Sequence, residues 1–263
     1  MRELKNIKLF LLDMDGTIYL DDSLFDKVPE LLELIRKRGG RYLFLTNNSS
    51  KSVDKYVEKL ASLGIKSTED DFLTSVNATA LYLKNKGYKK IYALGTKAFR
   101  EQLSDEGLNI TDSLSDGIDC LCLGFDTELS FKKLEDACIL LGRGVDYVAT
   151  NPDWVCPTWY GSVPDCGALA QMLFHSAGRM PRVIGKPRPE MVYLAMEKTS
   201  TAPEHTVIIG DRLYTDIACG VNAGVGTIFV LSGEGTLDDI EKTGVKPRWV
   251  LNNVAELYDI LCE

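Results

Sequence analysis

The sequence predicts an α/β protein with a doubly wound, mostly parallel sheet. Two observations carry this. Apolar runs of strand length recur along the chain and alternate with stretches of helical spacing, the pattern of repeated βα units around a parallel sheet. Several of these runs also stop abruptly in small polar or charged residues, and open α/β sheets bind ligands just beyond the carboxyl ends of their strands.

The first run, Leu9-Phe10-Leu11-Leu12, is continuously apolar, as a strand buried on both faces must be, and ends in Asp13-Met14-Asp15-Gly16-Thr17. Two carboxylates one residue apart at a strand end are placed for chemistry; an Asx-capped turn is the plainer alternative. A short polar connection through Asp21, Asp22 and Ser23 leads to a helix over 29–38, with Leu31, Leu32, Leu34 and Ile35 at helical spacing and Gly39-Gly40 as its stop. The second strand, 42–45, runs into Thr46-Asn47-Asn48-Ser49-Ser50, which also supplies N-caps for a helix over 51–63. Capping accounts for part of that polar cluster and leaves the rest for a ligand.

Strands over 72–74, 91–94, 118–124 and 147–149 then alternate with helices over 77–86, 98–106 and 130–141. Residues 150–161 read as a loop carrying Trp154, Trp159 and Tyr160, and loops of that length inside compact domains are often functional. After a helix over 167–176, a strand over 182–184 ends in Gly185-Lys186-Pro187, where a lysine held between Gly and Pro is aimed rather than draped over a surface. A helix over 190–198 follows. The run Thr206-Val207-Ile208-Ile209 repeats the opening theme, ending in Gly210-Asp211 with Asp216 five residues on. A helix over 217–223, strands over 227–231 and 248–251 and a helix over 255–261 complete the chain, which contains no solenoid-period repeat or low-complexity tract.

The bulk properties narrow the function. A net charge of -8 offers no cationic excess to neutralise phosphates, so neither nucleic acid nor an anionic membrane is an expected partner. Met1 to Lys8 contain no apolar leader segment, and no run approaches the ~18 apolar residues of a membrane span, so a cytoplasmic location is expected. Seven scattered cysteines fit a reducing compartment, and Cys120 and Cys122 read as core positions of one strand. Neither His175 nor His205 belongs to a metal-ligand spacing, which argues against a zinc site or a serine triad.

Four strand ends make one chemical set: Asp13 with Asp15, Thr46 with Asn47, Lys186, and Asp211 with Asp216. Gathered carboxylates repel, and a hard divalent cation relieves that repulsion. Magnesium fits best, since it takes one or two carboxylates, keeps several waters and bridges to phosphate. A lysine, a hydroxyl and an amide are the donors that a phosphoryl group in transfer needs.

These motifs, in this order, resemble those of the haloacid dehalogenase superfamily of phosphatases: Asp-x-Asp-Gly-Thr, a strand-end Ser or Thr, a Lys, and Gly-Asp-x4-Asp. The stretches Leu45-Thr46-Asn47-Asn48-Ser49, Ala149-Thr150-Asn151-Pro152-Asp153, Val183-Ile184-Gly185-Lys186-Pro187 and Val230-Leu231-Ser232-Gly233 further resemble its NagD-like and 4-nitrophenylphosphatase-like sugar phosphatases. The resemblance implies a Rossmann-like catalytic core over 1–77 plus 184–263 and an inserted α/β cap over 78–183 that sets substrate specificity. It implies Mg2+-dependent hydrolysis of small phosphate monoesters, a sugar phosphate or similar metabolite, through an aspartyl-phosphate.

Residue by residue, Asp13 is then the nucleophile and Asp15 the general acid and base. Thr46 and the Asn47 backbone amide bind phosphate, and Lys186 neutralises charge on the nucleophile and the phosphoryl oxygens. The metal is held by Asp13, Asp211 and the Asp15 carbonyl, while Asp216 works through water or by orienting its neighbours. Asp153, Trp154, Cys156 and Trp159 are the cap residues expected to face the substrate, and a homodimer through the cap is possible for this type.

Two departures stand out. Pro164-Asp165-Cys166-Gly167 replaces the subfamily's common Pro-Gly-Ala-Gly, and Cys156 stands where relatives selective for pyridoxal phosphate carry a His. Among rival readings, a phosphomutase or phosphotransferase would use the same motifs and differ only in the acceptor. Dehalogenation would leave Asp15, Asp211 and Asp216 without work, and a non-catalytic binding protein would be marked by loss of Asp13 or Asp15.

Overall fold

Contact patterns divide the chain into two compact units, the first formed by the chain up to Thr46 with Tyr56–Leu73 and Lys186–Glu263, the second by Asn47–Lys55 and Thr74–Gly185. The computed structural model describes residues 2–158 and 160–263.

The first unit is built on a six-stranded sheet in the order Trp249–Leu251, Gly226–Val230, Thr206–Gly210, Leu9–Leu12, Arg41–Thr46, Phe72–Thr74. The pairings from the Trp249 strand through to the Arg41 strand are parallel. Leu9, Leu11 and Leu12 are fully buried between Val207, Ile208 and Ile209 on one side and Leu43 and Phe44 on the other, which is why this run carries no polar alternation. From Leu9–Leu12 the chain moves outward in one direction through Arg41–Thr46, then returns to the other side at Thr206–Gly210 and moves outward again. The strand order therefore reverses beside Leu9–Leu12, and a crevice at such a reversal is where doubly wound sheets take their ligands.

The second unit carries a five-stranded parallel sheet in the order Arg182–Val183, Asp146–Ala149, Cys120–Leu123, Ile91–Leu94, Ile110–Thr111. Its order also reverses, between Ile91–Leu94 and Cys120–Leu123. There the fully buried Phe99 ring packs against Gly95 and Gly124, the residues that follow these two strands; a Cβ on Gly95 would run into the ring, and one on Gly124 would crowd it. Cys120 and Cys122 are buried, and burial pushes the Cys120 thiol up to about 12. No disulfide forms among the described cysteines. No helix among the described residues is long and apolar enough to cross a membrane.

Several elements depart from expectation. The stretch read as a loop over 150–161 contains a hairpin strand, Val155–Thr158, paired antiparallel with Gly161–Pro164. Prolines and a glycine mask it in the sequence, but a two-stranded ribbon consists only of edge strands, where proline is tolerated. Trp159 lies outside the described residues. The polar connection after Thr17 forms a small hairpin, Tyr19–Leu20 with Ser23–Leu24. The helix expected over 217–223 is preceded by a π-helical turn, Leu213–Ile217, which carries Asp216. The strand over 182–184 belongs to the second unit's sheet, so Lys186 does not leave a strand end of the sheet that holds Asp13 and Asp211. Sheet membership is decided by long-range pairing, which an isolated apolar run does not encode.

Leu11 has buried neighbours on both flanking strands, so Leu11→Ala should destabilise the protein by about 2–5 kcal/mol through lost burial and a cavity. Denaturant unfolding measures this, and a loss below about 1 kcal/mol would contradict the packing described.

Candidate active site

Register places the two acid-bearing strand ends side by side: Leu12 pairs with Ile209, and the Asp13 N–H donates to the Ile209 carbonyl at 2.9 Å. Lys186 closes the group. Its ammonium lies 2.5 Å from Asp13 Oδ1 and 2.6 Å from Asp216 Oδ1, and also donates to the Leu45 carbonyl at 3.3 Å. The lysine side chain is 3% exposed, so water contributes little to this charge balance. Asp13, Asp211 and Asp216 each present an oxygen within 4.8 Å of the others.

One buried ammonium does not balance three carboxylates. Burial raises Asp13 well above the usual carboxylate range, with Asp216 adding to the effect and Lys186 opposing it. Asp211 is pushed up to about 6, again by burial first and then by Asp216. For Lys186, burial disfavours the charge, but Asp13 and Asp216 outweigh it and raise its pKa, keeping the ammonium protonated.

The oxygens of these acids are not equivalent. Asp216 accepts from the Lys186 ammonium on Oδ1 and from the Arg212 N–H on Oδ2, the latter at 3.1 Å. Asp211 accepts the Glu234 N–H on Oδ2 at 2.7 Å, whereas its buried Oδ1 has no hydrogen-bond partner. A buried carboxylate oxygen without a donor is costly to maintain. Together with the surplus of negative charge, it fits a hard cation with oxygen ligands, and magnesium suits a site that offers so few carboxylate oxygens. Gly210 permits the crowding: a Cβ there would collide with the Asp216 side chain.

Comparison with known proteins shows the family. A family model for haloacid dehalogenase-like hydrolases matches residues 10–109, and a HAD-hydrolase-like model matches residues 183–257. An acid sugar phosphatase of Staphylococcus haemolyticus is 30% identical over 247 residues, covering 94% of this chain and 93% of its own length. The chain belongs to the haloacid dehalogenase-like hydrolases. The crystal structure of a 4-nitrophenylphosphatase from Thermotoga maritima superposes with a TM-score of 0.93 at 41% identity, covering 98% of this chain and 99% of that one. A glycerol phosphate phosphatase from Mycobacterium tuberculosis in complex with magnesium gives a TM-score of 0.91 at 27% identity, covering 97% of this chain and 78% of that one.

Other residues singled out from this hydrolase's sequence are distributed as follows. Thr46 is buried at the end of Arg41–Thr46, in the first unit. Asn47 belongs to the second, where its side-chain amide donates to Asp153 Oδ2 at 3.1 Å and its carbonyl accepts from Ser75 Oγ and Asn151 Nδ2 at 2.7 and 2.8 Å. Asp15 is exposed, and its side chain is not among the three clustered carboxylates. Tyr19 forms a β-bridge with Asp15 and is buried; burial and the Asp15 charge raise its pKa. Of the expected cap residues, Asp153 is buried, Cys156 packs against the second unit's apolar core and Trp154 is exposed.

A fifth strand end, known from the sequence only through the family resemblance of Val230-Leu231-Ser232-Gly233, also reaches Asp211. Gly226–Val230 is followed by Ser232-Gly233-Glu234-Gly235, whose small polar character is the same signal that marked the other four. The Ser232 hydroxyl donates to the Gly16 carbonyl at 2.7 Å, and Glu234 holds Asp211.

The raised Asp211 pKa has a stability consequence with a definite sign. A carboxyl whose pKa rises from 3.8 to about 6 on folding holds its proton more tightly when folded. It therefore favours the fold most at low pH, and this contribution is lost as pH rises through about 6. In metal-free protein, Asp211→Asn should raise the thermal midpoint above wild type by a margin that widens from pH 5 to pH 7.5. A margin that stays constant or narrows over that range would show that Asp211 is not perturbed in this way.

Proposed function

We propose that this hydrolase is a magnesium-dependent phosphomonoesterase acting on small phosphorylated metabolites, sugar phosphates among them, through an aspartyl-phosphate. The observation that carries this reading is Lys186 bridging Asp13 and Asp216 beside an Asp211 oxygen that has no protein donor. The names of its relatives, an acid sugar phosphatase and a 4-nitrophenylphosphatase, support the substrate class.

Asp211 Oδ1, an Asp13 oxygen and the Asp15 carbonyl would hold the magnesium. When bound, it supplies the positive charge that lets an anionic phosphate approach an anionic nucleophile. Lys186 holds the Asp13 carboxyl group in one orientation and opposes the burial that favours its protonated form. An Asp13 oxygen attacks phosphorus as the bond to the leaving oxygen breaks, and Asp15 gives its proton to that oxygen. Asp15, now a carboxylate, takes a proton from the water that attacks the phosphorus of the aspartyl-phosphate. Inorganic phosphate leaves, and both carboxyl groups return to their starting states.

Thr46 and the Asn47 backbone amide bind the phosphoryl oxygens. Asp216, with both oxygens engaged by Lys186 and Arg212, orients the lysine rather than binding the metal. Substrate choice beyond the phosphate is assigned to the inserted α/β cap, expected at 78–183, with Trp154 as an exposed candidate contact. Dehalogenation finds no support here, since a halide leaving group needs neither a proton donor nor this surplus of carboxylates.

Turnover of 4-nitrophenyl phosphate should require Mg2+ and stop on chelation. Asp13→Asn should abolish it in folded protein, and Asp15→Asn should cut it by about 10²–10⁴-fold. Steady-state assays on these variants, followed by a panel of metabolite phosphates, test the reading. Absence of turnover by folded wild type with magnesium, or substantial turnover by Asp13→Asn, would overturn it.

A further inference from the structure

We infer that the loop Ser232–Gly235, clasped by Arg212 and Tyr214 through the Glu234 side chain, is a positioning device that makes Asp211 a one-oxygen metal ligand and so selects magnesium over calcium. The inference rests on the reading of Asp211 as a metal ligand and adds what sets its coordination.

Asp211 is fixed at both ends. Its carbonyl accepts the Gly235 N–H at 3.1 Å and its Oδ2 accepts the Glu234 N–H at 2.7 Å. Around Oδ2 the backbone closes in from two sides: a Cβ on Gly233 or on Gly16 would collide with this carboxylate, and Gly16 also has a φ of 83°. Oδ2 is therefore capped by an N–H and walled by backbone, with no room for a cation. Oδ1 is buried and has no protein donor.

The loop that imposes this is itself tied down. Ser232 Oγ donates to the Gly16 carbonyl at 2.7 Å, joining the loop to the turn that follows Asp15. Glu234 turns its side chain back onto the residues after Asp211, with Oε2 2.8 Å from Arg212 Nε and Oε1 accepting from the Tyr214 hydroxyl at 3.2 Å. The Glu234 side chain is half exposed, so its contacts serve to hold its own backbone rather than to fill a core.

The chemical consequence follows from the needs of the two cations. Magnesium takes an octahedral shell of single oxygens and retains water, whereas calcium takes about 6–8 oxygens and gains from bidentate carboxylates. A bidentate Asp211 would have to break the Glu234 N–H bond and push the clasped loop away. The clasp thus costs calcium a ligand and costs magnesium nothing.

Isothermal titration of metal-free protein with MgCl2 and with CaCl2 tests this without relying on activity. Glu234→Ala keeps the backbone N–H but releases the clasp. It should weaken magnesium by about 10-fold, the range found when outer partners of metal ligands are removed, while calcium weakens less or tightens. The ratio of calcium to magnesium Kd should therefore fall. Glu234→Gln, which keeps the shape of the side chain, should recover part of the ratio, and Tyr214→Phe should lower it slightly. Circular dichroism in chelator shows whether each variant folds, and Tyr214→Phe and Glu234→Gln keep the test open should Glu234→Ala fail to fold. An unchanged ratio in folded clasp variants, with Asp211→Asn abolishing binding, would overturn the clasp alone. Wild-type magnesium affinity in Asp211→Asn would instead overturn the assignment of Asp211 as ligand.

Discussion

The ammonium of Lys186 stands between the carboxylates of Asp13 and Asp216, and the arrangement of the site depends on it. Take it away and three acids face each other in a buried space; keep it, and two of them share its single positive charge while the third has no part in it. The lysine is deeply buried, so solvent screens these contacts less than it would at the surface. That is why so short a set of side chains can be held at one spot on the sheet.

The remaining imbalance is as informative as the pair itself. Asp216 has both oxygens spoken for, Asp13 shares one with the lysine, and Asp211 has one oxygen capped and one bare. A folded chain seldom leaves a buried carboxylate oxygen without a donor, because desolvation is then uncompensated. The bare oxygen and the surplus charge point the same way, toward a small hard cation, and the similar glycerol phosphate phosphatase is a complex with magnesium.

Much of this was legible in the sequence, and the reasons differ by residue. Leu9–Leu12 is continuously apolar because it is buried on both faces, so its end, and therefore Asp13, could be located from composition alone. The same holds for Thr206–Gly210 and Asp211. The Gly185 and Pro187 that flank Lys186 mark it as aimed, but the strand before it pairs with Asp146–Ala149 in a different sheet, a fact carried by long-range hydrogen bonds rather than local pattern. The hairpin over Val155–Thr158 was hidden by its prolines. The loop at Glu234 shows its small polar character in the sequence but not its task, which is carried by a backbone N–H that every residue but proline possesses and no side chain advertises.

The two sheets invite one last comparison. Both reverse their strand order, and each reversal would ordinarily leave a crevice. In the first, acids and a lysine line it; in the second, the ring of Phe99 lies against the two glycines that mark it. One aromatic ring thus stands, in the second sheet, at the strand reversal where the first sheet places acids and a lysine.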